Sequence, residues 1–478
     1  MKSIEQKKAA VEEGLMPATR IDGEDTRWSL EERMQHYHIP GVGIAVAEGG
    51  EIAWAAGYGS AEVGTGKTVD ADTLFQGASI SKVVNAFAVM QQVQAGVLDL
   101  DTNVNQYLQS CQVPENELTR ERPVTLRGIL SHTAGLTVHG FGGVPFGKPV
   151  PTLLQIVTGK ADGYRAVEVD ILPGTEQRYS GGGTCVAQLI LEEVTGKPFA
   201  TLVQETIFGP LGLERSTFED RHPDDPTLDN YAAEHDEQGE LVEGRWALYP
   251  TKGAGGLWTT PAEFLRFLAE IRRAWNGQSA LLTRDTAQTM LTRQPGGAFA
   301  LGPRVVNDGA LMRIQHGGSN QGFQCDAQLY IDSGKGAVIM TNGAGGMPLY
   351  WEVLNAIASE HLWPGYLQPP KRPITLTGQE LDRYVGDYDV TQGFEPADSL
   401  TVWREGDTLW SQLGGARVSA SPVLLEAPDR LFSRHHPFTV VAQFGEDGNV
   451  AEFYMLEDGY FSMRAVRSQN ANRRQQGN

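Results

Sequence analysis

A chain of 478 residues, 40% hydrophobic and 21% charged, exceeds the length at which one hydrophobic core stops growing, so more than one core is expected. Its 59 acidic against 39 basic residues give a formal charge of −20, which disfavours polyanions and argues against nucleic acid and anionic membrane surfaces as partners. Cys111, Cys185 and Cys325 stand far apart, without a CxxC or a Cys/His pairing; neither a disulfide scaffold nor a structural zinc site is encoded.

The opening MKSIEQKKAAVEEGLMPATR lacks the apolar stretch of a signal peptide, and no later window holds the ~18 apolar residues of a membrane span. The expectation is a soluble, reduced, cytoplasmic protein. A helix is predicted around Trp28 to Tyr37, ending at the breaker Ile39-Pro40-Gly41. Gly41 to Glu48 and Glu51 to Tyr58 are apolar, β-rich runs split by Gly49-Gly50, which reads as a hairpin. From Ser79 the period changes to helical, with Val83, Ala86, Met90, Val93 and Val97 on one stripe. Further helices are expected at Thr125 to Leu130, Thr184 to Thr195, Leu202 to Phe208, Pro261 to Trp275 and Leu349 to Leu362. Strands return at Met312 to Gln315, Gln324 to Ile331 and Gly336 to Thr341. Two strands, many helices and three strands imply an α+β fold, with one antiparallel sheet built from both ends of the segment and helices packed on it.

Near residue 366 the texture changes at Gln368-Pro369-Pro370-Lys371-Arg372-Pro373, a stiff linker. Short alternating runs follow at Leu400 to Trp403, Thr408 to Gln412, Phe438 to Phe444, Val450 to Leu456 and Tyr460 to Ala465, separated by turn pairs such as Asp447-Gly448. These describe an all-β module, a small barrel. The expected division is a first domain over 1–365, a linker over 366–378, a β-module over 379–467 and a polar, disordered tail over 468–478.

Chemistry concentrates at the helix that starts on Ser79. Lysine is scarce, 11 against 28 arginines, and the only one between Lys67 and Lys148 is Lys82, one helical turn from Ser79 on the apolar stripe. A buried Lys82 could activate the Ser79 hydroxyl, and the helix N-terminus could stabilise the oxyanion that forms. The same spacing also describes a serine cap with Lys82 reaching outward. Tyr179, on the loop Arg178-Tyr179-Ser180-Gly181-Gly182-Gly183, is a candidate proton shuttle, and equally a half-buried loop tyrosine. His316-Gly317-Gly318-Ser319 ends an apolar strand; its glycines permit close backbone approach and Ser319 offers a strand-edge N–H, although a plain strand-end turn has the same text.

Taken together these segments resemble the serine β-lactamase and penicillin-recognising superfamily, in its class C-like branch with family VIII esterases and D-amino-acid peptidases. The matching text is FQGASISK (75–82), LSHTAGL (130–136), PGTEQRYSGG (173–182), AGGLWTTPAEFLRF (254–267) and HGGSNQGF (316–323), in order across residues 25–362. The resemblance implies Ser79 as acylated nucleophile and Lys82 with Tyr179 as the base system. It further implies backbone N–H groups of Ser79 and Ser319 as oxyanion hole, with His316, Gly318 and Gly181 beside the substrate. It also makes the C-terminal module lipocalin-like. Two departures stand out: Tyr-x-Asn is here Tyr179-Ser180-Gly181, without the amide, and the third motif carries His316 where β-lactamases usually carry a lysine that receives a substrate carboxylate. Both favour an ester or small-amide substrate over efficient β-lactam or cell-wall peptide cleavage.

Other signals are set aside. Ala61 to Thr68 satisfies a relaxed phosphate-loop pattern but no amphipathic helix follows it. The text around Ser79 lacks the second glycine of a nucleophile elbow, and His36-x-His38 has no downstream ligand set. The expectation is a serine hydrolase with no metal and no cofactor, acting on a small-molecule ester or amide, with a β-lactam or D-amino-acid peptide left open as substrate and the oligomeric state unread. An acyltransferase sharing the same acyl-enzyme, and a penicillin-binding-like sensor without turnover, are the alternatives.

Overall fold

A computed structural model of the chain describes residues 2–307, 309, 311–393, 397–414, 420–457 and 459–468. These fall into two compact units: residues up to Gly14 with Ser29–Gly365, and Leu15–Trp28 with the residues from Tyr366 onward.

In the first unit α1 (Ile4–Glu12) and α2 (Leu30–His36) both start on capping serines, Ser3 and Ser29, whose side chains accept an N–H of the first turn. β1 (Gly41–Glu48) and β2 (Glu51–Glu62) form the expected hairpin. Short strands β3 (Lys67–Thr68), β4 (Phe75–Gln76) and β5 (Trp258–Thr259) follow. β6 (Arg304–Val306), β7 (Arg313–Asn320), β8 (Phe323–Tyr330) and β9 (Gly336–Thr341) complete an antiparallel seven-stranded sheet in the order β3-β2-β1-β9-β8-β7-β6. Strands from both ends of the segment therefore share one sheet, with β1 paired directly to β9.

Four longer helices complete this unit: α3 (Ser81–Gln94), α4 (Gly181–Thr195), α5 (Pro261–Trp275) and α6 (Gly346–Glu360). α5 lies over β1 and β9 on the face carrying Val338 and Met340, while α6 lies over β8 and β9 on the opposite face with α1 and α2 beside it. Both faces being covered, every residue of β8 and β9 is buried. The alternating polar residues of β8 are bonded to their neighbours. Gln315 Nε2 donates to Asp326 Oδ2 at 2.6 Å and Gln328 Nε2 to Asp326 Oδ1 at 2.6 Å, with Arg313 donating to Gln328.

The stripe expected on α3 is wider than an amphipathic one, because all residues from Ser81 to Met90 are buried. The helix ends at Gln94, and Val97, expected on its face, lies past the end and is exposed. Leu202 to Phe208 is α-helical only to Val203 and continues as a π-turn over Gln204–Phe208.

The second unit is a closed, wholly antiparallel eight-stranded barrel: β10 (Gly386–Gln392), β11 (Ser399–Glu405), β12 (Thr408–Gly414), β13 (Ser421–Ala427), β14 (Arg430–Phe432), β15 (Thr439–Phe444), β16 (Val450–Glu457) and β17 (Tyr460–Arg467). Its core holds Tyr384, Tyr388, Leu409, Leu431, Val450 and Phe453. The proline-rich stretch joins this unit through backbone bonds: Asp22 N–H to the Lys371 carbonyl, Lys371 N–H to Arg20 and Ile374 N–H to Leu425. The segment Leu15–Trp28, which the sequence leaves in the first domain, groups here, with Thr19 N–H bonded to the Arg434 carbonyl. Of the tail expected over 468–478, only Ser468 is described, and its N–H bonds to Asp387. Among the described residues no helix is long and apolar enough to cross a membrane.

Candidate active site

Ser79 sits in a 3-10 turn, Ala78–Ile80, immediately before α3. Ala78 has φ +46°, a left-handed conformation that L-residues with a Cβ rarely adopt and that stores strain at a turn aiming the next side chain. The turn is pinned: Gly77 N–H donates to the Leu257 carbonyl at 2.7 Å, and Ser81 Oγ donates to the Ala78 carbonyl at 2.6 Å while accepting Leu257 N–H at 3.1 Å. Being at a helix start, Ser79 has no preceding turn to engage its own N–H.

Lys82 is 5% exposed. Its Nζ donates to Ser79 Oγ at 3.0 Å and to the Ala254 carbonyl at 2.7 Å. The alternative of an outward-reaching lysine is thus not what the geometry shows. Ala254 comes from the short helix Lys252–Gly255, the start of the AGGL text. That helix is fixed to α4, Gly253 N–H donating to Gln188 Oε1 at 2.8 Å, and α3 is in turn tied to α4 by Asn85 Nδ2 donating to the Thr184 carbonyl at 3.1 Å. Gly253 must be small, since a Cβ there would lie 2.4 Å from Asn85 Nδ2.

Tyr179 is brought to this pair. Lys82 Nζ stands 4.9 Å from its ring centroid, within cation–π range. The ring is walled by His132 at 4.3 Å, His139 at 4.8 Å, Phe299 at 5.8 Å and His316 at 6.2 Å between centroids. His132 holds the loop from below by accepting Ser180 N–H on Nδ1 at 3.2 Å; a nitrogen that accepts is unprotonated, so the proton of this neutral ring is on Nε2. Ser180 caps α4 by accepting Gly183 N–H at 2.9 Å.

The expected substrate-side residues are less uniform. Gly318 lies on β7, pressed against the serine turn; a Cβ there would sit 2.4 Å from the Gly77 carbonyl oxygen and 2.6 Å from Cys325 Sγ. Ser319 is exposed on the same strand and its Oγ accepts from Gln324 Nε2 at 2.9 Å. β6 pairs with β7 only over Arg313 to Gln315, so among the described residues the edge from Gly317 to Asn320 carries no neighbouring strand on that side. Gly181 is committed elsewhere, its N–H donating to the His139 carbonyl at 2.7 Å. A Cβ on Gly181 would lie 2.9 Å from that oxygen and 3.5 Å from Phe141, so the loop 139–141 fills the space an asparagine side chain would need.

The three imidazoles are neutral. Burial pushes His316 down to about 3, with Lys82 adding to the fall, and His139 down to about 4 for the same two reasons. Burial holds His132 well below the usual histidine range, reinforced by Lys82 and the other two rings. These rings and Tyr179 surround the Lys82 side chain. In the sequence His132 stands out only inside LSHTAGL, and the loop Thr137 to Val150 reads as a pocket wall without marking His139; φ +60° at His132 reports a turn no periodicity encodes.

A buried lysine on a helix-start serine, beside a glycine-rich sheet edge, defines the serine-hydrolase class to which this fold is suited. Residues 29–358 match the Beta-lactamase family, and the chain belongs to that family of serine hydrolases. It is 29% identical over 368 residues to "Penicillin-binding protein 4" of Amycolatopsis lactamdurans, spanning 71% of this chain and 91% of that one. The octameric penicillin-binding protein homologue from Pyrococcus abyssi shares the fold at TM-score 0.62 and 20% identity, covering 92% of this chain and 98% of that chain. D-amino acid amidase from Ochrobactrum anthropi SV3, complexed with L-phenylalanine amide, shares the fold at TM-score 0.54 and 20% identity, over 70% of this chain and 100% of that chain.

Proposed function

We propose that the protein cleaves an ester or small amide through an acyl-enzyme on Ser79. The observation that carries this reading is the 3.0 Å contact between Lys82 Nζ and Ser79 Oγ, with Tyr179 stacked beside the amine. Ser79 Oγ attacks the substrate carbonyl and the carbon–oxygen bond forms. Its proton passes to the Lys82 and Tyr179 pair, whose one open proton site is the free amine or the phenolate, and from there to the leaving group as that bond breaks. Water then adds to the ester on Ser79 and releases the acyl part as an acid. General-base assistance of this kind contributes about 10²–10⁴-fold. The N–H groups of Ser79 and Ser319 are assigned to the oxyanion, each such donor contributing about 10²–10³-fold.

The absent amide at Gly181 and the neutral His316 support a compact ester or amide over a β-lactam or a peptide. The relatives' names, a penicillin-binding protein and a D-amino acid amidase, place β-lactams and D-amino-acid amides on the test panel. The test is steady-state turnover of a short p-nitrophenyl ester, a D-amino-acid amide and a β-lactam by the wild type and by Ser79→Ala. Ester or amide turnover that disappears in Ser79→Ala is expected; turnover that survives the substitution overturns the assignment of the nucleophile. An acyl product on an added alcohol in place of the free acid would turn the reading to acyl transfer.

A further inference from the structure

The His316 ring has one atom that the scheme above does not use. His316 is 5% exposed, and its Nδ1 lies 2.6 Å from the carbonyl oxygen of Gly317. A carbonyl oxygen only accepts, so Nδ1 carries the hydrogen of this neutral ring and Nε2 presents a bare lone pair. Nε2 is buried and has no hydrogen-bond partner among the described residues. Buried polar atoms without partners are uncommon and call for an explanation.

Its surroundings say which way the lone pair is used. The ring faces the proton-transfer side of the site, 6.2 Å from the ring of Tyr179 and 5.8 Å from that of Phe299. The charges of Lys82 and Arg304 both disfavour a second proton on it, as does burial. A lysine at this position would donate and attract a carboxylate; this imidazole accepts and repels one.

Building on the serine-hydrolase reading, we propose that His316 Nε2 is a substrate-binding acceptor, and that the site selects leaving groups carrying a hydroxyl or amine N–H or O–H donor and rejects those carrying a carboxylate. The polarity of this subsite is inverted relative to one built on lysine. The inference is specific because a buried acceptor discriminates against a partner that cannot donate.

The test uses three aryl acetates differing at one ring position: hydroxymethyl, methoxymethyl and carboxymethyl. The readout is the rate of acetyl-enzyme formation by intact mass, with Ser79→Ala as control. The wild type is expected to acylate about tenfold or more faster from the hydroxymethyl than from the methoxymethyl ester, and slowest from the carboxymethyl ester. In His316→Phe the three rates draw together, and in His316→Lys the carboxymethyl ester becomes the fastest. Equal wild-type rates for hydroxymethyl and methoxymethyl esters, or a wild-type preference for the carboxymethyl ester, overturn the inference with Ser79 still acylated and need no variant to fold. No adduct with any ester, or an adduct that persists in Ser79→Ala, overturns the hydrolase reading itself.

Discussion

Gly318→Ala is the sharpest perturbation the geometry offers. The added Cβ would sit 2.4 Å from the Gly77 carbonyl oxygen, 2.6 Å from Cys325 Sγ and 3.2 Å from Ala78 Cβ. None of these yields easily, since Cys325 Sγ also donates to Gly77 O at 3.3 Å and Ile80 N–H to the same oxygen at 3.2 Å. Restoring ordinary contact requires β7 and the serine turn to part by about 1 Å, at a stability cost of roughly 1–3 kcal/mol for overpacking. The same displacement separates Ser319 from Ser79, and a misplacement of about 1 Å costs on the order of 10²-fold in rate. Gly317→Ala is the internal control, because its Cβ would meet nothing nearer than 3.6 Å. Measured as kcat/KM on a short p-nitrophenyl ester together with the urea midpoint, Gly318→Ala should lose about 10²-fold and Gly317→Ala no more than about threefold. Equal losses, or a Gly318→Ala enzyme within about threefold of wild type, would refute the claim that the strand edge and the serine turn work as one assembly.

Further outcomes follow from the same site. Lys82→Met should lower acylation by about 10²–10⁴-fold while leaving the melting temperature unchanged or higher, because the buried Lys82 Nζ has only a hydroxyl and a carbonyl as hydrogen-bond partners; a melting temperature that falls by more than about 5 °C counts against this. His132→Phe strips the acceptor from Ser180 N–H and should cost about 1–3 kcal/mol in urea denaturation, whereas a neutral result would deny His132 its hold on the Tyr179 loop. For pH, the folded imidazoles of His132, His139 and His316 are held below their unfolded value near 6.5. Their contribution is complete above pH 6.5 and is lost as pH falls, since the unfolded chain alone then takes up protons, by up to about 1.4 kcal/mol per pH unit for each. Thermal melts between pH 7 and 5 should show that decline, and a flat profile would contradict neutral burial.

Much of this is legible in the sequence where one physical rule acts alone. The Gly41–Glu48 and Gly336–Thr341 strands are continuous apolar runs, and both appear with those bounds. Ser79 and Lys82 follow from helical spacing, which holds although Ser79 itself lies on a 3-10 turn. Legibility ends where tertiary burial overrides local pattern. Gln324, Asp326 and Gln328 alternate like a solvent face yet lie under α6, and α3 is buried around its whole girth because α4 and the helices Lys252–Gly255 and Arg284–Leu291 press on it. Three barrel strands, Gly386–Gln392, Ser421–Ala427 and Arg430–Phe432, escape notice because they are short or interrupted by Gly, Asp and Pro; closure of the barrel, not their own propensity, makes them strands. His139 is invisible for a related reason: its loop has no period, and only the fold places its ring on Tyr179.

The central claim is a covalent acyl-enzyme on Ser79, and the most direct measurement is intact-mass analysis of the protein quenched during turnover of a short ester, followed by peptide mapping. The account predicts one added acyl group per chain, located on the peptide carrying Ser79 and absent from Ser79→Ala. Ester turnover without an adduct on any peptide, or an adduct carried by a different residue, would contradict it.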